Sequence, residues 1–401
     1  MTLESVPTTP LSGLRVIELG QLIAGPFCAQ LLGDFGAEVV KVEAPDRPDP
    51  AREWGAAKLN GAGLFWPIIA RNKKSVTVNL RVPEGQAILK RMVDTADVLV
   101  ENFRPGTLEK WGLGPDILMA INPRLVLVRV SGYGQTGPES HKPGYASVGE
   151  AKAGLRHLIG EPDRPPARAG VSLGDTMTGT FAALGAMMAL FSREKSGRGQ
   201  VVDAAIYESV MAFMESMIPE YALAGHTRER TGGILPKVAP SGAYPCSDGM
   251  VIIGANHDTL FARLAKMMGK DWARDVRFAT HDARGENQGE LDALIGAWTS
   301  YRTMADVSKS CEANAVPCGP VNTAKEMLVD AHIQARRAIV SVFSPLVGAD
   351  VPMQAPVPKL SETPGHVLSA GPALGEHTDE VLEVLGYGAS DLERLRGANV
   401  I

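Results

Sequence analysis

The sequence has few cysteines, with only Cys28, Cys246, Cys311 and Cys318 among 401 residues. Four thiols at such wide spacings make neither a disulfide framework nor a tetrahedral metal site. We therefore expect reduced, partly buried thiols and no bound metal.

An excess of basic charge is also missing, since 40 Lys and Arg residues are outnumbered by 45 Asp and Glu residues. Proteins that wrap nucleic acid or coat an anionic membrane need a basic face. No apolar run reaches the ~20 residues of a membrane helix, and residues 1–10 lack the basic cluster and apolar core of a secretory signal. We therefore expect a cytoplasmic protein that binds neither nucleic acid nor membrane.

Two nucleotide-binding motifs are incomplete in the turn at residues 20–26, which reads GQLIAGP. The turn lacks the third glycine of a dinucleotide fingerprint, and no Gly-Lys-Ser/Thr follows it as in a P-loop. It lies between a predicted strand and a predicted helix, where backbone N–H groups and the helix dipole favour an anion. The turn is therefore either a ligand loop or a tight turn without a ligand.

The eight histidines form neither a His-x-x-x-His pair nor a Ser/His/Asp order.

The composition is that of a globular protein, with 45% hydrophobic and 21% charged residues, and the length favours two lobes over one. In the first part of the chain, β-rich runs alternate with helical stretches, beginning with a βαβ unit. Such alternation predicts an α/β large domain with a mostly parallel, Rossmann-like sheet. The predicted strands are 14–19, 38–43, 75–80, 97–101 and 125–130.

Helical patterns dominate the middle of the chain, at residues 174–195 and 207–224. The Gly- and Pro-rich stretch 230–240 predicts a loop that leads to a smaller α+β domain. In that domain we expect a strand at 250–253 and helices at 259–268, 290–299 and 304–313. The predicted organisation is a large-domain part at 1–229, a small domain with linkers at 230–322, and a segment at 323–401 that returns to the large domain.

Asp175 stands at the start of the apolar helical pattern. A carboxylate there is often an N-cap, because Asp accepts hydrogen bonds from exposed N–H groups. It is also a candidate nucleophile, because the helix dipole favours the ionised form that can attack. The residues alone leave both interpretations open. Two glycine groups could supply N–H donors to an oxyanion or could be simple turns, namely Gly132-Tyr133-Gly134 and Gly232-Gly233.

Several short segments in one shared order make the sequence resemble the class III coenzyme A transferases, a family related to the alpha-methylacyl-CoA racemases. The resemblance covers nearly the whole chain. The segments are LRVIEL at 14–19, AGP at 24–26, GAEVVKVE at 36–43, NKKS at 72–75, ENFRPG at 101–106, GYGQTGP at 132–138, GD at 174–175, GRGQ at 197–200, VPCGPV at 316–321 and LGEHT at 374–378.

The resemblance implies a covalent mechanism in which Asp175 matches the family's aspartate nucleophile. It implies no cofactor, because the coenzyme A thioester is itself the substrate, and it implies an interlocked homodimer. By position, coenzyme A phosphates lie near the first turn, the adenine lies beside Arg81, and the pantetheine path passes the segment after residue 101. The residues that the resemblance places at the substrate are Gln21, Leu22, Ile23, Ala24, Arg81, Asn102, Phe103, Lys110, Tyr145, Gly232 and Gly233.

The resemblance favours succinyl-CoA as donor and a dicarboxylate as acceptor, whose second carboxylate would need a cation such as Arg168, Arg230 or Lys237. Formyl-CoA and oxalate are alternative substrates, but formyl-CoA transferases carry His and Gln where this chain has Gln21 and Ile23. A racemase is a second alternative. Racemases place a His where this chain has Tyr145, and a tyrosine with a pKa of ~10 is a poor base near neutrality. The third alternative is a protein that binds acyl-CoA without catalysing a reaction.

Overall fold

The computed structural model describes residues 9–401. The expectation about a secretory signal rests mainly on residues 1–8, which lie outside the described residues. The described chain forms two compact units. The first comprises the described residues up to Leu155, Ala169–Ile218 and His332–Ile401, and the second comprises Arg156–Arg168 and Pro219–Ala331. The second unit extends beyond the predicted small domain at both ends and includes a segment that the sequence places in the large domain.

The elements are numbered in chain order. The strands are β1 Arg15–Glu18, β2 Glu38–Glu43, β3 Lys58–Leu59, β4 Ala62–Gly63, β5 Lys73–Thr77, β6 Val98–Glu101, β7 Val126–Ser131, β8 Val201–Ala205, β9 Ser241–Cys246, β10 Gly249–Gly254, β11 Cys318–Pro320, β12 Ile339–Ser344 and β13 Ala349–Gln354. The α-helices are α1 Ala24–Asp34, α2 Trp66–Ile69, α3 Pro83–Asp94, α4 Thr107–Lys110, α5 Pro115–Ile121, α6 Ala146–Lys152, α7 Leu155–Leu158, α8 Leu173–Ser196, α9 Ile206–Met211, α10 Met217–Ala224, α11 Asp258–Met267, α12 His281–Glu286, α13 Gln288–Thr299, α14 Met304–Ala313, α15 Ala324–Val329, α16 Ala331–Ala335, α17 Thr378–Val384 and α18 Ala389–Gly397. A 3₁₀ helix spans Pro50–Glu53.

A six-stranded parallel sheet lies at the centre of the first unit, in the order β5-β2-β1-β6-β7-β8. The predicted α/β fold with a parallel, Rossmann-like sheet is confirmed, and each predicted strand overlaps an observed one. The sequence did not predict β8, which pairs with β7 at the sheet edge. Within residues 9–401, no helix combines the length and apolar composition needed to span a bilayer.

The two faces of this sheet carry separate apolar cores, because successive strand residues point to opposite faces. Ile17 of β1 packs into one core with residues of α3, α5, α17 and α18. Its neighbour Val16 packs into the other core with residues of α1 and α8. Since helices cover both faces, the strands read as nearly continuous apolar runs.

The C-terminal segment returns to the first unit and covers the edge strand β5. The N–H of His377 donates to the carbonyl oxygen of Ser75 at 2.9 Å. Arg71, just before β5, forms a buried ion pair with Asp34 at 2.5 Å and donates to the carbonyl oxygen of Gln354 at 2.6 Å. The start of the Arg-Asn-Lys-Lys run at 71–74 therefore fastens the end of the chain to the sheet.

The pattern at 207–224 does not form one helix. Helix α9 ends at Met211 and α10 begins at Met217. Between them Glu215 adopts a left-handed φ of 50°, a conformation that right-handed helices exclude. The prediction of a single helix over 207–224 is therefore wrong.

The second unit is α+β, as predicted. Its antiparallel sheet has the order β11-β10-β9, and α11, α13 and α14 pack around it with their apolar faces. The expected strand at 250–253 lies within β10. The expected helices at 259–268, 290–299 and 304–313 match α11, α13 and α14 to within two residues.

Candidate active site

The turn between β1 and α1 is held by a side chain that follows β6. Asn102 accepts the N–H of Gln21 and donates to the carbonyl oxygen of the same residue, both at 2.8 Å. Strands β1 and β6 are parallel neighbours, so their carboxyl ends meet at one edge of the sheet, where open α/β sheets bind ligands. Asn102, predicted to flank the substrate, therefore fixes the backbone of the predicted ligand turn.

Leu22, at the centre of this turn, adopts a left-handed φ of 66°. For a non-glycine residue this conformation costs about 1–2 kcal/mol. The N–H of Leu22 donates to both carboxylate oxygens of Asp49, at 3.0 and 3.2 Å. Lys41 lies 2.9 Å from Asp49 and 2.8 Å from Glu18, and it donates to the carbonyl oxygen of Gly20 at 2.8 Å. Buried charges therefore hold the strained turn in place.

Lys73 extends this buried network to the other end of the turn. Its Nζ lies 2.7 Å from Glu18 Oε2, without hydrogen-bond geometry, and donates to the carbonyl oxygen of Pro26 at 2.7 Å. Burial alone would lower the pKa of Lys41, but the carboxylates of Glu18 and Asp49 raise it above its ordinary value. For Lys73 burial prevails, and its pKa is lowered. The network thus fixes the carbonyl oxygens at both ends of the turn.

Sequence reasoning did not single out Lys41, Lys73 or Asp49. The available indication for Lys41 and Lys73 was charge inside strands that are covered on both faces, because a buried charge must be paired. Asp49 lies outside the strands, at the N-cap of the 3₁₀ helix, and had no such indication. Such a pattern indicates buried ion pairs, but it does not reveal which backbone groups they hold.

The side chains of the turn differ in exposure. Gln21 and Leu22 are half-buried, whereas Ile23 and Ala24 are buried, with 7% and 3% of their surfaces exposed. A ligand of this unit can therefore reach the side chains of Gln21 and Leu22 more readily than those of Ile23 and Ala24.

Asp175 is the third residue of α8, and Ser172 occupies the N-cap position. The N-cap interpretation of Asp175 is therefore wrong, although its carboxylate still lies in the first turn of the helix. Amide dipoles of that turn stabilise a negative charge. The position suits an ionised carboxylate, as a nucleophile requires.

Helix α8 contacts α1 one turn beyond Asp175. A Cβ atom at Gly179 would lie 2.7 Å from the carbonyl oxygen of Ala24 and 3.0 Å from Phe27 Cδ1, so only glycine permits this approach. Four residues of helix rise about 6 Å, which separates Gly179 from Asp175 along the axis. Asp175 therefore lies one helical turn away from a contact with Ala24, the residue that begins α1 within the predicted ligand turn.

Tyr145 immediately precedes α6 and is 68% exposed. Helix α6 packs against the first turn of α8, where a Cβ atom at Gly174 would lie 3.3 Å from the Cβ of Ala146. Tyr145 is thus the neighbour of a residue that touches the helix start carrying Asp175. The predicted substrate residue therefore immediately precedes the helix that packs against the first turn of α8.

Three other predicted substrate residues lie in the first unit. The Arg81 side chain is 44% exposed and lies 3.7 Å from Asp46. Phe103 is half-buried and meets the ring of Trp111 edge-on at 5.3 Å. Lys110 is exposed at the end of α4. The two cations are accessible in this unit, as contacts with phosphate groups require.

Glu101 lies at the end of β6, beside these residues. It accepts the N–H of Phe103 at 2.8 Å and pairs with Arg129 at 2.7 Å. Burial raises the pKa of Glu101 to about 7, even though Arg129 acts in the opposite direction. The carboxyl group therefore changes charge near neutral pH.

Gly232 and Gly233 belong to the second unit. Gly232 has a left-handed φ of 65°, and its N–H donates to the carbonyl oxygen of Gly160 at 3.0 Å. Arg230, two residues earlier, donates to the carbonyl oxygen of His157 at 3.0 Å. The glycine loop is thus fastened to the segment 156–168 of its own unit.

The three basic residues considered for a second carboxylate have different surroundings. Arg230 is engaged by a backbone carbonyl group. The Lys237 side chain is 78% exposed and lies 3.5 Å from Glu286. Arg168 is exposed.

The cysteines are free thiols, with Cys28 and Cys311 buried and Cys246 and Cys318 half-buried. Burial raises the pKa of Cys28 to about 12, which keeps that thiol protonated. In the part of the chain from residue 9 to 401, no group of three or more His, Cys, Asp or Glu side chains is arranged to hold a metal ion.

Comparison with known families gives a match to CoA-transferase family III over residues 11–378. The chain is 56% identical over 398 residues to the succinyl-CoA–D-citramalate CoA-transferase of Chloroflexus aurantiacus, covering 98% of this chain and 99% of the relative. It is 44% identical over 399 residues to the beta subunit of succinyl-CoA–L-malate CoA-transferase of the same organism, covering 98% of each. Among solved structures, a CAIB/BAIF family protein from Brucella suis is similar, with a TM-score of 0.86 and 33% identity. The match covers 94% of this chain and 100% of that protein.

Proposed function

Because the chain belongs to CoA-transferase family III, it is an enzyme, and we propose that it transfers coenzyme A through a covalent intermediate on Asp175. The family acts on acyl-CoA and carboxylic acid substrates. The observation that carries the proposal is the position of Asp175 in the first turn of α8, one turn before Gly179 meets α1 at Ala24. A carboxylate nucleophile and an anion-binding turn are thereby combined in one unit.

The first half of the reaction loads the enzyme. The Asp175 carboxylate attacks the thioester carbonyl carbon, the carbon–sulfur bond breaks, and a mixed anhydride and the coenzyme A thiolate result. The thiolate then attacks the aspartyl carbonyl carbon. This step releases the donor acid as a carboxylate and leaves an aspartyl-CoA thioester.

The second half reverses these steps with the acceptor. The acceptor carboxylate attacks the aspartyl thioester, which forms a new anhydride and frees the thiolate. The thiolate attacks the acceptor acyl carbon, so that the new acyl-CoA leaves and the Asp175 carboxylate is restored. No proton is transferred, and each step passes through an oxyanion that N–H donors stabilise.

The turn between β1 and α1 and its surroundings are proposed to bind coenzyme A. Gln21 and Leu22 are half-buried in a turn whose backbone is fixed by Asn102 and by the buried charges. Arg81 and Lys110 are exposed cations suited to phosphate groups. A fixed turn lowers the ordering cost of binding.

Succinyl-CoA is the proposed donor, and a dicarboxylate is the proposed acceptor. The names of two relatives support both parts, since they pair succinyl-CoA with D-citramalate and with L-malate. Because these relatives are 56% and 44% identical to this chain over nearly its whole length, they support a substrate of the same class for it.

A homodimer is also proposed, and one face of α8 supports it. Opposite its small buried residues, α8 exposes a run of large apolar side chains, which in a soluble protein commonly marks a contact surface. A second copy of the chain would cover it. The exposed residues are Phe181, Leu184, Met187, Met188 and Phe191. Light scattering at micromolar concentration should give twice the chain mass, and a monomer mass would contradict this assignment.

An exchange assay tests the central proposal. Purified protein is incubated with succinyl-CoA and a panel of free acids, and new CoA thioesters are followed by mass spectrometry. Asp175→Ala should abolish exchange. Asp116→Ala is the matched control, because Asp116 is also a first-turn carboxylate, exposed at the start of α5.

Two results would contradict the proposal. Exchange that survives Asp175→Ala would remove the nucleophile. Solvent deuterium entering the carbon next to the thioester, without any acceptor acid, would indicate a racemase instead.

A further inference from the structure

A buried carboxylate from another helix contacts the start of α8. Glu150, on α6, is only 4% exposed. Its Oε1 accepts the N–H of Gly174 at 3.0 Å. Gly174 immediately precedes Asp175, so the backbone that presents the nucleophile is bound by a side chain 24 residues away.

The first turn of α8 depends on this outside partner for capping. Within residues 9–401, the side chain of Ser172 makes no capping hydrogen bond, although serine is a favoured N-cap. The carboxylate of Glu150 instead satisfies one of the amide groups that a helix start leaves open. The Thr178 hydroxyl donates to the Gly174 carbonyl oxygen at 2.6 Å, so the peptide groups on both sides of this residue are fixed.

Helix α6 itself is held tightly, so Glu150 is a fixed reference point. A Cβ atom at Gly149 would lie 2.5 Å from Ile206 Cγ2, at the start of α9. A Cβ atom at Gly174 would lie 3.1 Å from Glu150 Cγ and 3.3 Å from the carbonyl oxygen of Ala146. These close approaches pack α6 against both α8 and α9.

We propose that Glu150 is a positioning residue for the transfer reaction, and this inference rests on the proposed role of Asp175. By accepting the Gly174 N–H, Glu150 fixes the direction from which the Asp175 carboxylate meets the thioester carbon. It contacts neither substrate. Its loss therefore slows the covalent steps while leaving the binding of acyl-CoA intact. The turn between β1 and α1, which is proposed to bind coenzyme A, is held by other residues, namely Asn102 and Asp49.

Three substitutions separate the hydrogen bond from the charge. Glu150→Gln keeps both the length of the side chain and an acceptor oxygen, so kcat should stay within about threefold of wild type. Glu150→Asp keeps the charge but withdraws the acceptor by one methylene group. Glu150→Asp and Glu150→Ala should each lower kcat by about a hundredfold, the order expected for misplacement by an ångström, with the KM for acyl-CoA within about twofold.

Ala186→Gly is the control for a general loss of helix stability. Ala186 is fully buried in the middle of α8, far from the first turn, and glycine weakens a helix interior. It should lower the melting temperature while kcat remains near the wild-type value. A fall in kcat for Glu150→Ala no larger than that of Ala186→Gly would overturn the proposal. If Glu150→Ala does not fold, Glu150→Gln and Glu150→Asp are compared instead. Equal kcat values for these two variants would overturn the proposal.

The same experiment distinguishes this inference from the proposed function. If Asp175→Ala retains exchange, the covalent mechanism fails, and with it the reason for positioning that residue. If Asp175→Ala is inactive while the Glu150 variants all have normal kcat, the mechanism stands and only the positioning role is refuted.

Discussion

Gly179→Ala should weaken both the fold and the reaction, because the added Cβ meets backbone. It would lie 2.7 Å from the carbonyl oxygen of Ala24, whereas ordinary contacts begin at 3.4 Å. A backbone oxygen cannot rotate away, so α8 must move off α1 by several tenths of an ångström. Overpacking of this kind costs about 1–3 kcal/mol, and better helix propensity returns about 1 kcal/mol. We expect net destabilisation of about 1 kcal/mol.

The effect on catalysis should exceed the effect on stability. The displacement occurs between Asp175 and the turn proposed to bind coenzyme A, and misplacement by about an ångström can cost a hundredfold in rate. Urea unfolding gives the free energy of unfolding, and the exchange of succinyl-CoA with a dicarboxylate gives the rate. We expect kcat/KM to fall by at least about tenfold.

Gly185→Ala is the matched control in the same helix. Its added Cβ would also lie 2.7 Å from a neighbour, but the neighbour is Val202 Cγ1, a side-chain methyl group that can rotate away. This variant should have nearly the wild-type rate and a stability equal to wild type or up to about 1 kcal/mol higher, because alanine favours the helix. The reasoning is refuted if Gly179→Ala behaves as Gly185→Ala does in both assays.

Three further predictions concern the groups around the turn. Lys41→Met should lower the free energy of unfolding by about 3–5 kcal/mol in urea titrations, because it leaves the buried Asp49 carboxylate without its cation and leaves Glu18 with Lys73 alone; a loss below about 1 kcal/mol would contradict the network. Asn102→Ala should raise the KM for acyl-CoA by about tenfold in initial-rate measurements, since it removes both hydrogen bonds to Gln21 and loosens the turn; an unchanged KM would separate that turn from coenzyme A. The pKa of Glu101 is raised from 4.5 to about 7, so stability present below pH 4.5 is lost as the pH rises to about 7. Urea unfolding across this range should show the free energy of unfolding of the wild type falling by roughly 3 kcal/mol, and that of Glu101→Gln should not fall in this way. The same dependence on pH in both proteins would contradict the assignment.

The central strands could be predicted because their residues obey a local rule. A strand such as Val126–Ser131, buried on both faces, is an apolar run bounded by turns, and that pattern needs no knowledge of distant residues. Strand β8 has only five residues, includes Asp203 and has an exposed start, so its pattern is weak. The end of α9 has neither Gly nor Pro to mark it, and Glu215 is not a residue type that favours the left-handed φ found there.

The candidate site was predictable only in part. The Gly174-Asp175 junction pointed to a helix start, and the structure places Asp175 in the first turn of α8. The groups that fix the site act over long distances in the sequence, as when Asp49 accepts the N–H of Leu22 or Glu150 accepts that of Gly174. Such contacts leave no periodic pattern, so a sequence can show that a charge is buried without showing what it binds.

The most direct test of the account is to trap the aspartyl intermediate. Hydroxylamine added during turnover with succinyl-CoA should convert Asp175 to a hydroxamate, which peptide mass spectrometry locates, and omitting acyl-CoA should leave the residue unmodified. Modification at another residue, or none while turnover proceeds, would contradict the covalent role of Asp175.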